Sequence, residues 1–457
     1  MKMKNMTLEN IAKACNGEYI GDESLKSNII TGVEKDSRLI EDGFLYVPFA
    51  GARVDGHDFI NQCFEKGAIC SLSEKKLDNV NGPYILVEST AQALKDIAEF
   101  YREQLDCKVI GITGSVGKTS TKEIIASVLS EKFSVLKTEG NYNNEIGEPL
   151  TVLKIRDNHE IAVIEMGMSG FNEIEYLVNI VNPKIGVISN IGLSHVERLG
   201  SREGIFKAKM EITTNFDENS TLIVNGDDDM LATLKGKDLK YNLKTFGFEK
   251  DNTIYCVDFE MNDNDTIFNV MIDNKIEKFY IPTVGEHNIY NAMAAILVGQ
   301  TLNLTLDEIR NGLETLEITK SRMDVIKNDN YTVIDSVYNA SVDSMRAALK
   351  VLNRYENRKV AVLGDMFEMG SFAEEGHREV GKCASEYADI LIAVGDDAKF
   401  MVDEAIKNNM DKENTYYFKT KEEAIENFEN ILQKGDAILV KASRGMHLEE
   451  VVEFLSK

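Results

Sequence analysis

The sequence predicts an α/β protein of three domains: a small α/β N-terminal domain, a central phosphate-loop domain on a mostly parallel sheet, and a C-terminal Rossmann-like doubly wound domain. Three observations carry this. The chain has 457 residues, and at roughly 100–200 residues per domain that length suggests about three. Short β-branched runs alternate with helical periodicity, the pattern of strands joined to parallel neighbours through helices. A strand at Lys108–Thr113 runs into a Gly-rich turn and then a helix opening with Lys118-Thr119-Ser120, the layout of a phosphate cradle.

The elements follow in order. In residues 1–105, Phe44–Phe49, Ala68–Ser71 and Tyr84–Val87 read as strands, Phe59–Lys66 as a helix stopped by Gly67, and Ala91–Leu105 as a helix. In residues 106–316, strands recur at Ile161–Glu165, Ile185–Ser189 and Thr221–Val224, with a helix over Ser201–Thr214. From about 245 to 282 the apolar residues alternate with polar ones between Asn/Asp turns, which predicts antiparallel strands attached to the main sheet. A helix from His287 to Leu302 follows. In residues 317–457, Tyr331–Asp335, Lys359–Leu363, Ile390–Ala393 and Ala437–Val440 read as strands, each followed by a helix. Ligands of such sheets sit beyond the carboxyl ends of the strands.

Composition bounds the partners. Apolar residues make up 43% and charged residues 28%, enough to build substantial cores. A net charge of −25 argues against a nucleic-acid or anionic-membrane surface, both of which need clustered Lys and Arg. It leaves room for a polyanion held locally by backbone N–H groups and a few placed cations. The six cysteines form no CxxC pair and read as free thiols of a reducing compartment. The first residues are polar, with no secretory apolar segment, and no apolar run approaches the length of a membrane span. The expectation is a cytoplasmic monomer.

The chemistry concentrates at strand ends. In Thr113-Gly114-Ser115-Val116-Gly117-Lys118-Thr119 the glycines let backbone N–H groups approach phosphate oxygens and the helix start adds its dipole. Lys118 can reach the β/γ-phosphates and Thr119 can offer its hydroxyl to Mg²⁺. The general G-x-x-x-x-G-K-[ST] spacing is missed, because position 112 is Ile and Gly111 stands one place early. Downstream, Glu165 closes a strand and suits Mg²⁺, which prefers hard oxygen ligands. His195 suits it less, and on its own reads as a hydrogen-bonded loop histidine. Lys207, Lys209 and Glu211 read as solvated charges of a helix. Thr138–Gly147, Gly364–Gly370 and Lys441–His447 pack amides, glycines, acids or cations into loops after strands, beyond what turns require.

These residues, in this order, resemble the Mur ligases of bacterial cell-wall synthesis, over essentially the whole chain. Within them the resemblance is to the branch that adds D-alanyl-D-alanine to UDP-N-acetylmuramoyl-tripeptide. Asp36-Ser37-Arg38, Gly43 and Asp55-Gly56-His57-Asp58 are similar to that branch's uridine-nucleotide-binding first domain. Thr113–Ser120 is similar to the family's own phosphate loop, which accounts for the displaced glycine. Asn141–Pro149 is similar to its Asn-Asn-x-Ile-Gly-x-Pro segment, and His287–Asn291 to the segment beside the nucleotide. Arg322 matches the arginine opening the third domain, and Gly364–Gly370 and Lys441–His447 match its signature loops.

The resemblance implies roles. ATP would be bound by Thr113, Gly114, Ser115, Val116, Gly117, Lys118, Thr119, Ser120, Asn291, Arg322 and Asp335. The substrates would be bound by Ser37, Arg38, Asp55, Gly56, His57, Asn143, Asn144, Tyr338, Asn339, Lys441, Ser443 and Arg444. Lys118, Glu165, His195 and Lys209 would be catalytic. Thr119, Glu165, His195 and Lys209 would hold Mg²⁺, two ions in all, with Lys209 carbamylated into a carboxylate-like ligand. The reaction implied is ATP-driven amide formation through an acyl phosphate, with Asp335 and His447 as candidate bases for the amine and the third domain closing over the nucleotide. The family's Asp-Asp-x-Tyr-Asn-Ala-Asn-Pro stands here as Asp335-Ser-Val-Tyr-Asn-Ala-Ser-Val342, and Ser321 and Ala442 replace expected glycines. These departures keep two alternatives open, a paralogue with another amine or acyl substrate and a nucleotide-binding relative without catalysis; a folate-type or poly-amino-acid ligase of the same build is a further rival, which the Asp55-Gly56-His57 first domain argues against.

Overall fold

Residues 2–51, 54–262, 264–317 and 324–457 are described by the structure, a computed structural model. Ser321 and Arg322 lie outside the described residues. Three sheets organise the described chain. The first has five strands in the order Glu18–Ile20, Tyr84–Leu86, Cys70–Ser73, Phe44–Tyr46, Gly32–Glu34, with only the outermost Glu18–Ile20 pair antiparallel.

The central sheet has nine strands. Seven are mutually parallel, in the order Val135–Lys137, Ile161–Glu165, Lys108–Thr113, Ile185–Ile188, Thr221–Asn225, Asn242–Gly247, Ile254–Met261. Thr266–Ile272 and Lys275–Ile281 extend it antiparallel, as the alternating segment predicted. Burial explains both patterns. Every residue of Ile161–Glu165 is buried, so its sequence is a continuous apolar run. Thr266–Ile272 alternates buried with half-buried residues, which is what one wet face demands.

The topology places the site. The chain leaves Lys108–Thr113, builds two strands on one side of it, then crosses to Ile185–Ile188 on the other. The crevice beyond Thr113 and Ile188 is therefore the point where strand order reverses, the expected place for a ligand in an open parallel sheet. Helix Lys118–Ser130 starts there, and the almost wholly buried helix Glu286–Thr301 packs against it.

The third sheet has six strands in the order Asp324–Lys327, Thr332–Asp335, Ala437–Lys441, Lys359–Gly364, Ile390–Val394, Thr415–Phe418. All pairs are parallel except the first. Ala437–Lys441 lies between Thr332–Asp335 and Lys359–Gly364, so the three loops that follow these strands meet at one edge. Neither edge strand of this sheet was predicted. Both have only four residues, too few to show a period.

Candidate active site between the central and third domains

Sterics dictate the shape of the phosphate loop. A side chain at Gly114 would collide with the Ser189 hydroxyl, and Gly117 sits at φ 85°, in the left-handed region. The loop is tied to the neighbouring strand end. The Ser115 and Val116 amides donate to Asn190 O (3.1 Å) and Oδ1 (2.9 Å), and the Ser189 hydroxyl donates to Val116 O at 2.6 Å. Those two amides thus brace the loop, and the helix start from Lys118 is left to face a phosphate. Lys118 Nζ donates to Gly114 O at 2.8 Å, folding the ammonium back across the turn. Asn291 Oδ1 accepts from the Thr121 hydroxyl at 2.9 Å, which in turn donates to Gly117 O at 2.8 Å, so Asn291 secures the first turn of the helix.

Glu165 is buried at the end of its strand. Its Oε2 accepts from the Thr119 hydroxyl and its Oε1 from the Asn143 amide, both at 2.8 Å. The Glu165 amide donates to Thr138 Oγ1 at 3.0 Å, and the Thr138 carbonyl accepts from the buried Lys122 ammonium at 2.6 Å. Lys122 therefore links the helix of the phosphate loop to the segment that aims Glu165. Asn144 lines the same cavity, and its Oδ1 accepts from the Gly147 amide at 2.9 Å, where helix Gly147–Val152 begins.

Lys209 is only 2% exposed. No carboxylate lies within ion-pair distance of it among the described residues. Burial, and then the nearby charge of Lys118, push its pKa well below the usual lysine value. The expectation of a solvated helix charge is therefore wrong for Lys209: the helix turns that residue inward. Lys207 lies over the Phe171 ring instead. His195 stands at φ 63°. Burial is the main influence on its ring and lowers its pKa, against the upward pull of Glu368, with Lys118 and Lys209 adding to the lowering.

One cavity of about 1210 Å³ takes in several of these groups, with Thr119 and Lys209 outside its lining. Its central-domain wall includes Ser115, Val116, Gly117, Lys118, Ser120, Asn143, Asn144, Glu165, His195 and Asn291. Its third-domain wall includes Ser336, Tyr338, Asn339 and Lys441, together with Asp343, Arg346, Lys350 and Arg354. All four were missed in the sequence, although the spacing of Asp343, Arg346 and Lys350 puts them on one face of helix Val342–Leu352, with Arg354 in the turn just beyond its end. No cluster of three or more His, Cys, Asp or Glu at metal-binding spacing exists among the described residues. The candidate metal set mixes Thr119, Glu165, His195 and Lys209, and its donors fit Mg²⁺: a hydroxyl already on the carboxylate, a neutral-leaning imidazole, and a buried amine that carbamylation would make an oxygen ligand.

Other expected site residues lie apart from the cavity. Asp55-Gly56-His57 forms a self-satisfied turn. His57 Nδ1 is 2.7 Å from Asp55 Oδ1 and its Nε2 accepts from the Glu74 amide, while Tyr46 donates to Gly56 O. Hydrogen bonding to the His57 amide and ring, then Lys75, hold the Asp55 carboxyl far below the usual range. Arg38 is exposed and pairs with Asp36 at 2.6 Å; Ser37 accepts from Lys66. Asp335 accepts from the Val337 amide, and burial raises its pKa. Ser443 accepts from the Phe367 amide, and Arg444 lies over the Tyr338 ring. Asp365, the acid of the Gly364–Gly370 loop, is a backbone clamp accepting from the Asp396, Asp397 and Ala398 amides.

The departures have local accounts. Ser341 caps helix Val342–Leu352 by accepting from the Ser344 amide, a role in which Ser serves as well as Asn. Val342 occupies the first helical position, where Pro is favoured but not required. Ser336 Oγ accepts from Lys441 at 3.1 Å, and the carbonyls of Ser336 and Asn339 also accept from it. The Ala442 methyl packs against Gly364, where a second Cβ would come within 2.7 Å.

Fold and site together define a three-domain α/β protein with a phosphate loop facing a second nucleotide-type sheet across a shared cavity. Family models match in three places: "Mur ligase family, catalytic domain" at residues 29–102, "Mur ligase middle domain" at 112–299, and "Mur ligase, glutamate ligase domain" at 321–444. The chain belongs to the Mur ligase family. It is 39% identical over 460 residues to the UDP-N-acetylmuramoyl-tripeptide–D-alanyl-D-alanine ligase of Bacillus subtilis (strain 168), covering 99% of each chain. It resembles the crystal structure of MurF from Acinetobacter baumannii with a TM-score of 0.89 at 30% identity, covering 100% of both chains. It resembles MurF from Thermotoga maritima in complex with ADP with a TM-score of 0.80 at 29% identity, covering 93% of this chain and 97% of the other.

Proposed function

We propose that this chain uses ATP to join D-alanyl-D-alanine to the terminal carboxylate of UDP-N-acetylmuramoyl-tripeptide, in the synthesis of peptidoglycan precursors. The observation that carries this is end-to-end similarity to a ligase of that name, covering 99% of both chains. The shared cavity supports it. A volume of about 1210 Å³ exceeds the ~300–1,000 Å³ of a single small-ligand pocket and suits a nucleotide with reactants. Residues 1–105 would bind the UDP-muramoyl peptide, 106–316 the ATP, and 317–457 the incoming amine and part of the nucleotide. The setting would be the cytoplasm and the unit a monomer.

The chain's own residues do the following. The helix start at Lys118 and the Lys118 ammonium bind and neutralise the β/γ-phosphates as the γ-phosphoryl group passes to the substrate carboxylate. Thr119, Glu165, His195 and a carbamylated Lys209 would hold Mg²⁺, which supplies charge neutralisation at the transferring group. Addition of CO₂ to the uncharged Lys209 amine, with loss of a proton, would form the carbamate, and burial favours that uncharged form. Asn143 and Thr138 keep Glu165 aimed at the cavity. The acyl phosphate is then attacked by the dipeptide amine and collapses to amide and phosphate. The two walls position the reactants and exclude water that would hydrolyse the acyl phosphate.

The test is release of ADP and phosphate with ATP, the UDP-muramoyl-tripeptide and D-Ala-D-Ala, with the amide product identified by mass. Turnover dependent on all three is expected. Absence of turnover with this pair, or turnover only with another amine, would overturn the proposal.

A further inference from the structure

The two walls of the cavity touch where the loop at 364–372 of the third domain meets Leu193–Leu199 of the central one. Leu193 packs against the third domain's core, and Phe372 packs against the core shared by the first two. Gly370 lies so near Glu197 that a Cβ there would come within 2.8 Å of Glu197 Cγ. Beside this docking point, Glu368 Oε2 lies 2.6 Å from His195 Nδ1.

Backbone conformation singles out the same pair. Among the described residues twelve non-glycines have positive φ, and nine of them are Asn or Asp, the types that tolerate it. The other three are His195 at 63°, Glu368 at 61° and His447 at 54°. Such strain persists only where the surroundings enforce it, and it concentrates at functional sites. Here Glu368, of a type that rarely adopts this conformation, faces across the two domains His195, of a type enriched in it.

The chemistry of a histidine ligand explains why they should. An imidazole that binds a metal through one nitrogen usually donates its other N–H to a carboxylate, which fixes the tautomer and the ring orientation. As placed, the Nδ1–H is not directed along the line to Glu368, so the contact is at hydrogen-bond distance without the bond being made. Hydrogen bonds of this kind commonly align only in the bound complex.

We propose that Glu368 is a positioning residue of the metal site: its carboxylate accepts the Nδ1–H of His195, leaves Nε2 as the ligand atom, and thereby lets docking of the third domain complete the site. This rests on the reading of His195 as a metal ligand. Linkage then requires reciprocity: the docked arrangement binds the metal more tightly, and the metal with its nucleotide favours docking. Domain closure and metal affinity become one equilibrium.

Mn²⁺ binding to the full chain, followed by electron paramagnetic resonance with a non-hydrolysable ATP analogue present, tests this. Glu368→Ala should weaken Mn²⁺ binding by about 10–100-fold and leave nucleotide binding without metal unchanged. Glu368→Gln should recover part of the loss, because its amide oxygen still accepts the N–H. The double variant with His195→Ala should bind no more weakly than His195→Ala alone. If His195→Ala weakens Mn²⁺ while Glu368→Ala matches the parent protein, the proposal is wrong and the ligand reading stands. If His195→Ala itself changes nothing, both fall. Additive losses in the double variant would place Glu368 outside this site and overturn the proposal.

Discussion

The third domain is joined to the central one quite differently from the way the first domain is. Between the first and central domains, one apolar core runs through both, from Met3 and Leu94 to Leu150, Leu177 and Ile205. Hydrogen bonds stitch its rim. Arg102 donates to the carbonyls of Val181, Leu105 and Cys107, Tyr101 to Ile155 O at 2.7 Å, and Arg156 to Thr31 O at 2.8 Å. Between the central and third domains lies a cavity lined by both polar and apolar side chains, bridged by His195–Glu368, by Arg354 on the Asn262 carbonyl, by Gly370 against Glu197, and by the apolar contacts of Leu193 and Phe372. The third domain keeps its own cores. Apolar area buried between domains is worth about 25 cal/mol per Å² and resists opening, whereas polar contacts exchange readily with water. The first pair is held mainly by shared apolar burial, and the second by fewer contacts around the cavity.

Breaking the polar side should cost chemistry and leave the fold intact. For Lys209→Ala, the expected loss is about 10²–10³-fold in kcat, roughly 3–4 kcal/mol of transition-state stabilisation, with little change in thermal midpoint. Short carboxylic acids filling the space should restore part of the rate. Full activity in the untreated variant would remove Lys209 from the metal site.

Breaking the apolar side should do the reverse. Arg102→Ala leaves three carbonyls short of a donor, and the expected cost is about 2–3 kcal/mol of stability with kcat unchanged. A variant that melts normally but turns over slowly would mean that the first interface also moves. A third measurement bears on the whole comparison. Small-angle scattering with a non-hydrolysable ATP analogue and Mg²⁺ should show a smaller radius of gyration than the free chain, fitted by moving the third domain alone. An unchanged radius would sink the idea that this interface closes.

The same contrast governs what could be read in the sequence. Lys108–Thr113 and Ile161–Glu165 are legible because strands buried on both faces read as unbroken apolar runs. Gly32–Glu34 and Glu18–Ile20 are not, since three residues show no period. Thr119 and Glu165 stand out in the sequence as oxygen groups at a helix start and a strand end, and the structure hydrogen-bonds them to one another. Lys209 does not, because a lysine on a helix reads as solvated until the packing shows which way it faces. Glu368 lies in a loop the sequence singles out, Gly364–Gly370, but its partner is not legible there, because that partner is a residue 173 positions away that only the fold brings near. Asp55 and His57 look like ligand groups in sequence, and in the structure they lie 2.7 Å from one another within a turn. Polar residues that satisfy one another and those that await a ligand have the same one-letter codes.

One residue runs against the division, and it gives the smallest effect expected. Glu148 lies in helix Gly147–Val152, which packs on helix Thr90–Arg102 across the apolar interface. It is fully buried, and neither carboxylate oxygen has a hydrogen-bond partner. Burial alone raises its pKa well above the usual carboxylate value. The sign follows from proton binding. Below the unfolded value of about 4.3 both states are protonated and nothing is lost. Above it the unfolded chain ionises first, so stability falls with rising pH until the folded carboxyl ionises as well. Glu148→Leu removes both the unpaired group and this slope. Its gain should be small at pH 5 and reach about 1–3 kcal/mol at pH 8, or roughly 2–4 °C of melting temperature per kcal/mol. A variant less stable than its parent at pH 8 would show that Glu148 is paired in solution, and that the interface between the first two domains contains a polar contact after all.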